Sequence, residues 1–345
     1  MSQTEVPKQS NILIRRERIR HRRLPSLGEW YESMEHNMRP TVSTLTSCFH
    51  GEKYLPLFLE KMPEQTAFER LEVVIDLNEP SDEELRLVRD FQEKYPGHLK
   101  YTVQEKVVPY STSWNNCIRN ASGEYLAIWN IDDLRTPVSI EAQARVLDEY
   151  PDVGIVHGKY KVVPSFGSTE GPYRDTTKLP KSEATRRFVF GPFYMFRRSL
   201  LEKAGMVDEQ FRSSADLDHC IRLALHSDFV AVDENLGYYL WAGEGLSNNP
   251  NSRIEVENFV IRMRYGVYDK LWYYHLAAAS QYDMYKVLNG SEWISITTYV
   301  PEHRRMLEER YAKWFDIGLV RHLAFKAKKE NWSGIRGVWK GLCGK

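Results

Sequence analysis

The sequence predicts an α/β fold, a mainly parallel sheet flanked by helices with a helical C-terminal extension. Three observations carry this. Runs of β-branched and apolar residues alternate with helical periodicity from residue 41 to about 157, the spacing of β–α–β units. Polar residues capable of chemistry collect just after the strand runs, where open α/β sheets bind ligands. The composition is that of a folded chain: 345 residues, 42% hydrophobic and 27% charged, long enough for about two domains.

Thr41–Ser47 is rich in β-branched residues and reads as the first strand, with a helix starting near Glu52. Leu71–Ile75 reads as the second strand. Ser81, with Glu84 three residues on, forms a capping box for a helix to about Tyr95. Leu99–Val103 is the third strand, Ser111–Asn120 a helix, and Tyr125–Trp129 a buried fourth strand. Pro137 opens a helix to Tyr150, and Val153–Val156 follows as a strand. Tyr160–Val163 is strand-like, whereas residues 164 to 181 are rich in Gly, Ser, Thr and Pro without periodicity and predict a mobile loop. Phe188–Phe196 predicts another strand, Ser199–Ala204 a short helix, Asp216–His226 a longer one and Phe229–Val232 a strand. Helical segments are predicted from Asn251 to about Asn289 and from Pro301 to Glu330. No internal repeat is present, which excludes a solenoid.

Lys plus Arg (47) equals Asp plus Glu (47), which argues against a nucleic-acid partner. The balance hides an asymmetry. Residues 1 to 23 are net +5, residues 317 to 345 net +6, and the span between them −11. The expected division is a basic N-terminal extension (1–39), an acidic body (40–250) and a helical C-terminal region with a basic amphipathic tail (251–345). Such basic ends are either solvated charge runs or peripheral contacts with an anionic membrane surface. Cys48, Cys117, Cys220 and Cys343 show no C-x-x-C spacing, so neither a zinc site nor a disulfide framework is indicated and a reducing compartment is expected. No run of about 18 apolar residues and no signal-peptide core occurs, and the expected location is the cytoplasm.

Asp76 ends the second strand, and Asn130, Asp132 and Asp133 end the fourth. Carboxylates at a strand terminus can hold Mg2+ or Mn2+, which in turn neutralises a diphosphate. The same residues also suit an ordinary loop before a helix. Spacing alone leaves both readings open.

The order of motifs from about 40 to 245 resembles the family 2 inverting glycosyltransferases of the GT-A fold. Ser47-Cys48-Phe49-His50 before Tyr54-Leu55 stands where that family ends its first strand, and Asp76 matches its nucleotide-holding Asp. Ala121-Ser122-Gly123-Glu124-Tyr125 matches Ala-x-Gly-Glu-Tyr closely. The metal motif Asp-x-Asp-Asp becomes Asn130-Ile131-Asp132-Asp133, with an amide for the first carboxylate. Trp114 stands before Asn115 where the family often has Arg, so diphosphate charge falls to Lys106 or another loop cation. Gly205-Met206-Val207-Asp208-Glu209 resembles the family's Gly-x-x-Asp-Glu turn. In the following helix Asp216 and Arg222 match, while Ala215 replaces a Glu.

The resemblance implies a GT-A fold, a mixed, mainly parallel sheet, and a divalent metal cofactor. It implies a nucleotide-diphosphate sugar donor bound by Cys48, Phe49, Asp76, Asn115, Asn130 and Asp132, with metal at Asp132 and Asp133. Asp216 is the implied catalytic base, Asp218 its neighbour and local rival, Arg222 a matched cation, and Trp241 a candidate stacking surface for a sugar. The implied acceptor is a hydroxyl of a glycan or lipid-linked molecule in cell-surface polysaccharide or glycolipid synthesis. One base and a metal suffice for inversion, because the metal replaces a protonating acid at the leaving group. Two other readings remain: a nucleotidyltransferase, for which residues 47 to 53 offer only Gly51 and Lys53, and a non-catalytic carbohydrate-binding or scaffold relative, suggested by the Asn130 and Ala215 departures.

Overall fold

A computed structural model describes residues 42–177, 183–184, 188–241, 254–265, 286–289 and 292–295. The basic ends and the helical block of 301 to 330 lie outside the described residues. In chain order come β1 (Val42–Phe49), α1 (Leu55–Glu60), β2 (Leu71–Asn78), α2 (Asp82–Lys94), β3 (Leu99–Gln104), α3 (Tyr110–Asn120), β4 (Tyr125–Ile128) and β5 (Leu134–Arg135). There follow α4 (Ser139–Glu149), β6 (Val153–Val163), β7 (Tyr173–Arg174), β8 (Met195–Arg197), α5 (Leu201–Ala204), α6 (Ala215–His226), β9 (Asp228–Leu240), α7 (Ile254–Arg264), β10 (Lys286–Asn289) and β11 (Glu292–Ser295).

The main sheet runs β3-β2-β1-β4-β8-β6-β9-β5, with β7 on β6. β1 lies parallel to β2 and β4, with Val42 opposite both Leu71 and Tyr125, and β6 lies parallel to β9. β8 is antiparallel to both β4 and β6, and β5 to β9. Because β8 reverses direction between them, β4 and β6 point the same way. The carboxyl ends of β1 to β4, β6 and β9 therefore share one edge of this mixed, mainly parallel sheet.

β2 is buried at all eight positions, as a strand covered on both faces must be. Alternate residues serve opposite cores: Val74 joins Leu45, Leu126, Phe196 and the apolar side of α6, whereas Val73 and Ile75 join Phe58, Val88 and Trp129 beneath α1, α2 and α4. Each fully buried aliphatic or aromatic side chain contributes roughly 1.5–3 kcal/mol. The capping box is present: Glu84 N–H donates to Ser81 Oγ at 3.3 Å and Ser81 N–H to Glu84 Oε2 at 2.8 Å. The other oxygen of Glu84 accepts Gly51 N–H at 2.7 Å, which ties the loop after β1 to the start of α2.

At the opposite edge the Ala121–Tyr125 segment explains itself. Glu72 accepts Ser43 Oγ at 2.5 Å, Ser122 N–H at 2.8 Å and Ser122 Oγ at 2.7 Å, and pairs with Lys100. Gly123 N–H donates to Ser43 Oγ at 2.8 Å. Burial opposes ionisation of Glu72, but these donors, Lys100 foremost, outweigh it and hold its pKa below the ordinary value. Its stabilisation is full above the unfolded carboxyl pKa of about 4.3 and is lost as the pH falls through the lower folded value. Glu72→Gln is expected to cost about 1–3 kcal/mol at pH 7. Thermal melts from pH 7 to pH 3 check this: the variant should lose less stability on acidification than the wild type, and parallel curves contradict it.

Three expectations are corrected. Phe188–Phe196 is a strand only from Met195, because Gly191 takes φ +69° and is followed by Pro192; residues 189 to 194 are nonetheless largely buried. The stretch expected to be a mobile loop contains β7, which pairs with Tyr160 and Lys161 of β6. The helix expected to continue to about Asn289 gives way to the β10–β11 hairpin, in which Asn289 pairs with Glu292. The intervening Gly290-Ser291 is the two-residue signal for such a turn. Among the described residues no helix is long and apolar enough to cross a membrane.

Candidate active site

Between β4 and β5 the chain turns through Asn130-Ile131-Asp132-Asp133, closed by Asp133 N–H donating to Asn130 O at 3.1 Å. Asn and Asp favour such turns because their side chains bond the local backbone. Here Asn130 Nδ2 donates to Asp133 Oδ2 at 3.0 Å, and Leu240 N–H, at the end of β9, donates to Asp133 Oδ1 at 3.0 Å. Asp133 is buried with both oxygens engaged, whereas Asp132 is only partly buried. Burial, then the charge of Asp132, pushes the Asp133 carboxyl well above the usual range. Burial also raises Asp132, opposed by its own N–H and by the charge of Lys53. Beneath the turn, Arg135 is buried and donates to Ile128 O at 2.7 Å and Gln143 Oε1 at 2.8 Å. It is an internal cation that partly balances Asp133.

The ends of β1, β2 and β3 form the neighbouring wall. Phe49 is 46% exposed, and its ring lies 3.9 Å from that of His50. His50 and Glu79, at the ends of β1 and β2, both hold positive φ (+49° and +45°), a strained conformation for residues with a Cβ. The Cys48 thiol points inward, 3.4 Å from Glu84 Oε1, and is pushed up by burial and by the Glu84 charge. Expected among the donor contacts, Cys48 thus offers no side chain to that edge. Asp76 is fully buried. It accepts Gln104 Nε2 at 2.8 Å and Thr102 Oγ1 on one oxygen, and Asn116 Nδ2 at 3.3 Å on the other.

Asn115, also expected to meet the donor, is committed elsewhere. Its amide donates to Val207 O at 2.8 Å and Glu209 Oε1 at 2.7 Å and accepts Val207 N–H at 3.0 Å. It staples α3 to the 205–209 turn.

Asp216 lies in the first turn of α6. Its N–H donates to the Tyr110 hydroxyl at 3.3 Å. Tyr110 opens α3, directly after the β3 end, so this contact brings Asp216 to the same edge as the other candidates. Its carboxylate accepts Leu217 N–H at 2.8 Å. Burial, partly offset by local N–H groups, pushes its pKa up to about 6. Asp218, two residues on, is fully buried and faces away. It accepts Arg222 Nε at 2.8 Å, Arg264 Nη1 at 2.9 Å and the Tyr265 hydroxyl at 2.8 Å. Arg222 also donates to Ala204 O, and Arg264 to Asp208 Oδ2 at 2.8 Å. Asp218 and Arg222 therefore knit α5, α6 and α7 together. Trp241, at the end of β9, is 55% exposed, 6.3 Å from the Tyr239 ring.

Residues 43–205 match the family model of glycosyl transferase family 2. This part of the chain belongs to that family. EpsE of Bacillus subtilis is 24% identical over 131 residues, 38% of this chain and 47% of that protein. The uncharacterized glycosyltransferase MJ1057 of Methanocaldococcus jannaschii is 22% identical over 58% of this chain and 71% of that one. The match thus spans about half the length of the first of these relatives. Among solved structures, TarS 1–349 of S. aureus has a TM-score of 0.54 at 17% identity, covering 84% of this chain and 92% of that one. A mannosyltransferase of Pyrobaculum calidifontis, in complex with GDP-Man and Mn2+, has a TM-score of 0.53 at 17% identity, covering 84% and 86%. These likenesses establish the GT-A fold.

Among the described residues, no group of three or more His, Cys, Asp or Glu side chains converges to hold a metal ion. The family 2 domain instead offers the Asp132 carboxylate and the Asn130 amide oxygen, whose nitrogen is committed to Asp133. Mg2+ and Mn2+ take hard oxygen donors, and Mg2+ commonly uses one or two carboxylates with substrate phosphates and water. The residues present fit a cation completed by substrate.

Sequence reasoning did not single out Tyr110, Arg135, Glu257 or Arg264, and it met Lys53 only in the nucleotidyltransferase reading. Tyr110, Glu257 and Arg264 act across separations of 43 residues or more, whereas the partners of Arg135 are near in sequence, and none of the four falls in a local motif.

Proposed function

We propose that the family 2 domain transfers a sugar, with inversion, from a nucleoside-diphosphate donor to a hydroxyl of a glycan or lipid-linked acceptor in cell-surface polysaccharide or glycolipid synthesis. The observation that carries this reading is the Asp216 carboxyl, held at the carboxyl edge of the sheet and pushed up to about 6 by burial. Such a group is mostly ionised at neutral pH yet basic enough to take a proton from an attacking hydroxyl. The donor class is supported by the complexes of the neighbours, TarS with UDP and with UDP-GlcNAc and the mannosyltransferase with GDP-Man.

In this reading Phe49 presents an exposed face to the nucleobase, and Asp76 acts from beneath by fixing Gln104 and Thr102. Asp132, with Asn130 beside it, would hold a divalent cation, which when bound would supply positive charge to a departing diphosphate. Asp133 is the anchor of that turn, not its open ligand. Lys53, whose charge is felt at Asp132, adds positive charge on the same side. Trp241 offers an apolar face on which the acceptor sugar stacks.

Thermal unfolding with UDP-GlcNAc or GDP-mannose, with and without Mn2+, tests the donor site. At a hundredfold excess over Kd, a bound donor stabilises by about 2.7 kcal/mol. The expected outcome is a metal-dependent rise in Tm with at least one donor, abolished in Asp132→Ala. A rise that is equal without metal and persists in Asp132→Ala removes the metal role. No rise with any nucleotide sugar sinks the transferase reading.

A further inference from the structure

We propose that Glu257 of α7 is the positioning residue for Asp216, holding the chain that enters α6 through three consecutive backbone N–H groups; this rests on the reading of Asp216 as the base. The first N–H groups of a helix have no partners within it, and Ser214, the N-cap residue of α6, makes no side-chain cap. Glu257, itself 1% exposed, supplies an acceptor from another helix to the N-cap N–H and to the two N–H groups that precede it. Its carboxylate accepts Arg212 N–H at 3.0 and 3.1 Å, Ser213 N–H at 2.8 Å and Ser214 N–H at 2.9 Å. Successive N–H groups converging on one anion form a nest, and the helix dipole favours negative charge there. A second link at the same junction runs from Ser214 Oγ to Ile254 O at 3.5 Å.

Asp216 follows Ser214 by two residues, and its own N–H is held by Tyr110 at 3.3 Å. The candidate base is thus fixed from two sides, by α3 and by α7. Glu257 lies beyond residue 205, outside the stretch that matches the family, so the C-terminal region takes part in building the site.

The carboxylate also acts through its charge. Among the described residues, the titratable groups facing Asp216 are Tyr110 from α3, Tyr194 just before β8, Cys220 one turn along α6, and Glu257. Burial pushes Tyr110, Tyr194 and Cys220 well above their ordinary values, so they stay neutral near pH 7. The Glu257 charge opposes ionisation of Asp216, in the same direction as burial. Removing that charge lowers the pH at which Asp216 titrates.

The test combines a carboxyl-carbon NMR titration of Asp216 with steady-state release of UDP from UDP-GlcNAc and GDP from GDP-mannose in the presence of Mn2+. In Glu257→Gln the Asp216 midpoint should fall below its wild-type value. Turnover of the accepted donor should fall about tenfold or more through displacement of the base, with donor KM unchanged. In Glu257→Asp, which keeps the charge but shortens the reach, turnover should fall while the midpoint stays near wild type. A folded Glu257→Gln protein with the wild-type midpoint and turnover overturns the proposal. Should that variant fail to fold, full turnover in Glu257→Asp overturns it. Unimpaired turnover in Asp216→Asn, by contrast, defeats the base assignment while the titration still reports on the Glu257 tether.

Discussion

Asp216→Asn is expected to lower turnover by about 10²- to 10⁴-fold, the range for loss of a positioned general base, while leaving donor affinity in place. The amide keeps the size of the side chain and can still accept Leu217 N–H, so the first turn of α6 should survive. What it loses is the capacity to accept a proton. The wild-type rate should rise with pH through a limb near 6, where the partly buried carboxyl gives up its own proton, and the residual rate of the variant should lack that limb. Steady-state rates from pH 5 to pH 8 on both proteins check this. An unchanged limb in Asp216→Asn assigns it to another group.

The second large effect concerns stability. Asp218→Ala is expected to cost about 3–5 kcal/mol, because removing one member of a buried ion pair leaves its partners charged and unpaired. Asp218 is fully buried and accepts from Arg222, Arg264 and Tyr265, so one truncation removes three hydrogen bonds, one within α6 and two across its junction with α7. Arg264 retains Asp208, and Arg222 retains the Ala204 carbonyl, so the residual pairing sets the lower end of that range. Denaturant unfolding measures the loss directly, and a cost below about 1 kcal/mol contradicts the assignment of Asp218 as the hub. The two neighbouring aspartates should therefore separate cleanly, Asp216 affecting rate and Asp218 affecting stability.

Much of the β1 to α4 region was legible because each strand and helix there announces itself locally. The capping box at Ser81 and Glu84 and the all-apolar centre of β2 are examples. The long pairing of β6 with β9 was not, since register shifts near Gly158 and Lys159 interrupt any simple alternation. Antiparallel insertion of the short β8 between β4 and β6 was likewise hidden, because three paired residues leave little pattern. At the site, motif position pointed to Asp132 and Asp216 but said nothing of which way a side chain turns. Cys48 and Asn115 sit at the expected places and face the interior. Glu257 left no trace at all, since its partners are backbone N–H groups 43 to 45 residues away.

The central claim is that this chain activates a nucleotide sugar and transfers its glycosyl group. Release of nucleoside diphosphate from a panel of UDP- and GDP-sugars by the wild-type protein with Mn2+ or Mg2+, with the anomer of the freed sugar read by NMR, tests it most directly. The account predicts turnover of at least one donor with inverted configuration at the anomeric carbon, even when water is the only acceptor. Binding of a donor followed by a retained anomer would contradict the single-base mechanism, and neither binding nor turnover of any donor would contradict the assignment as a whole.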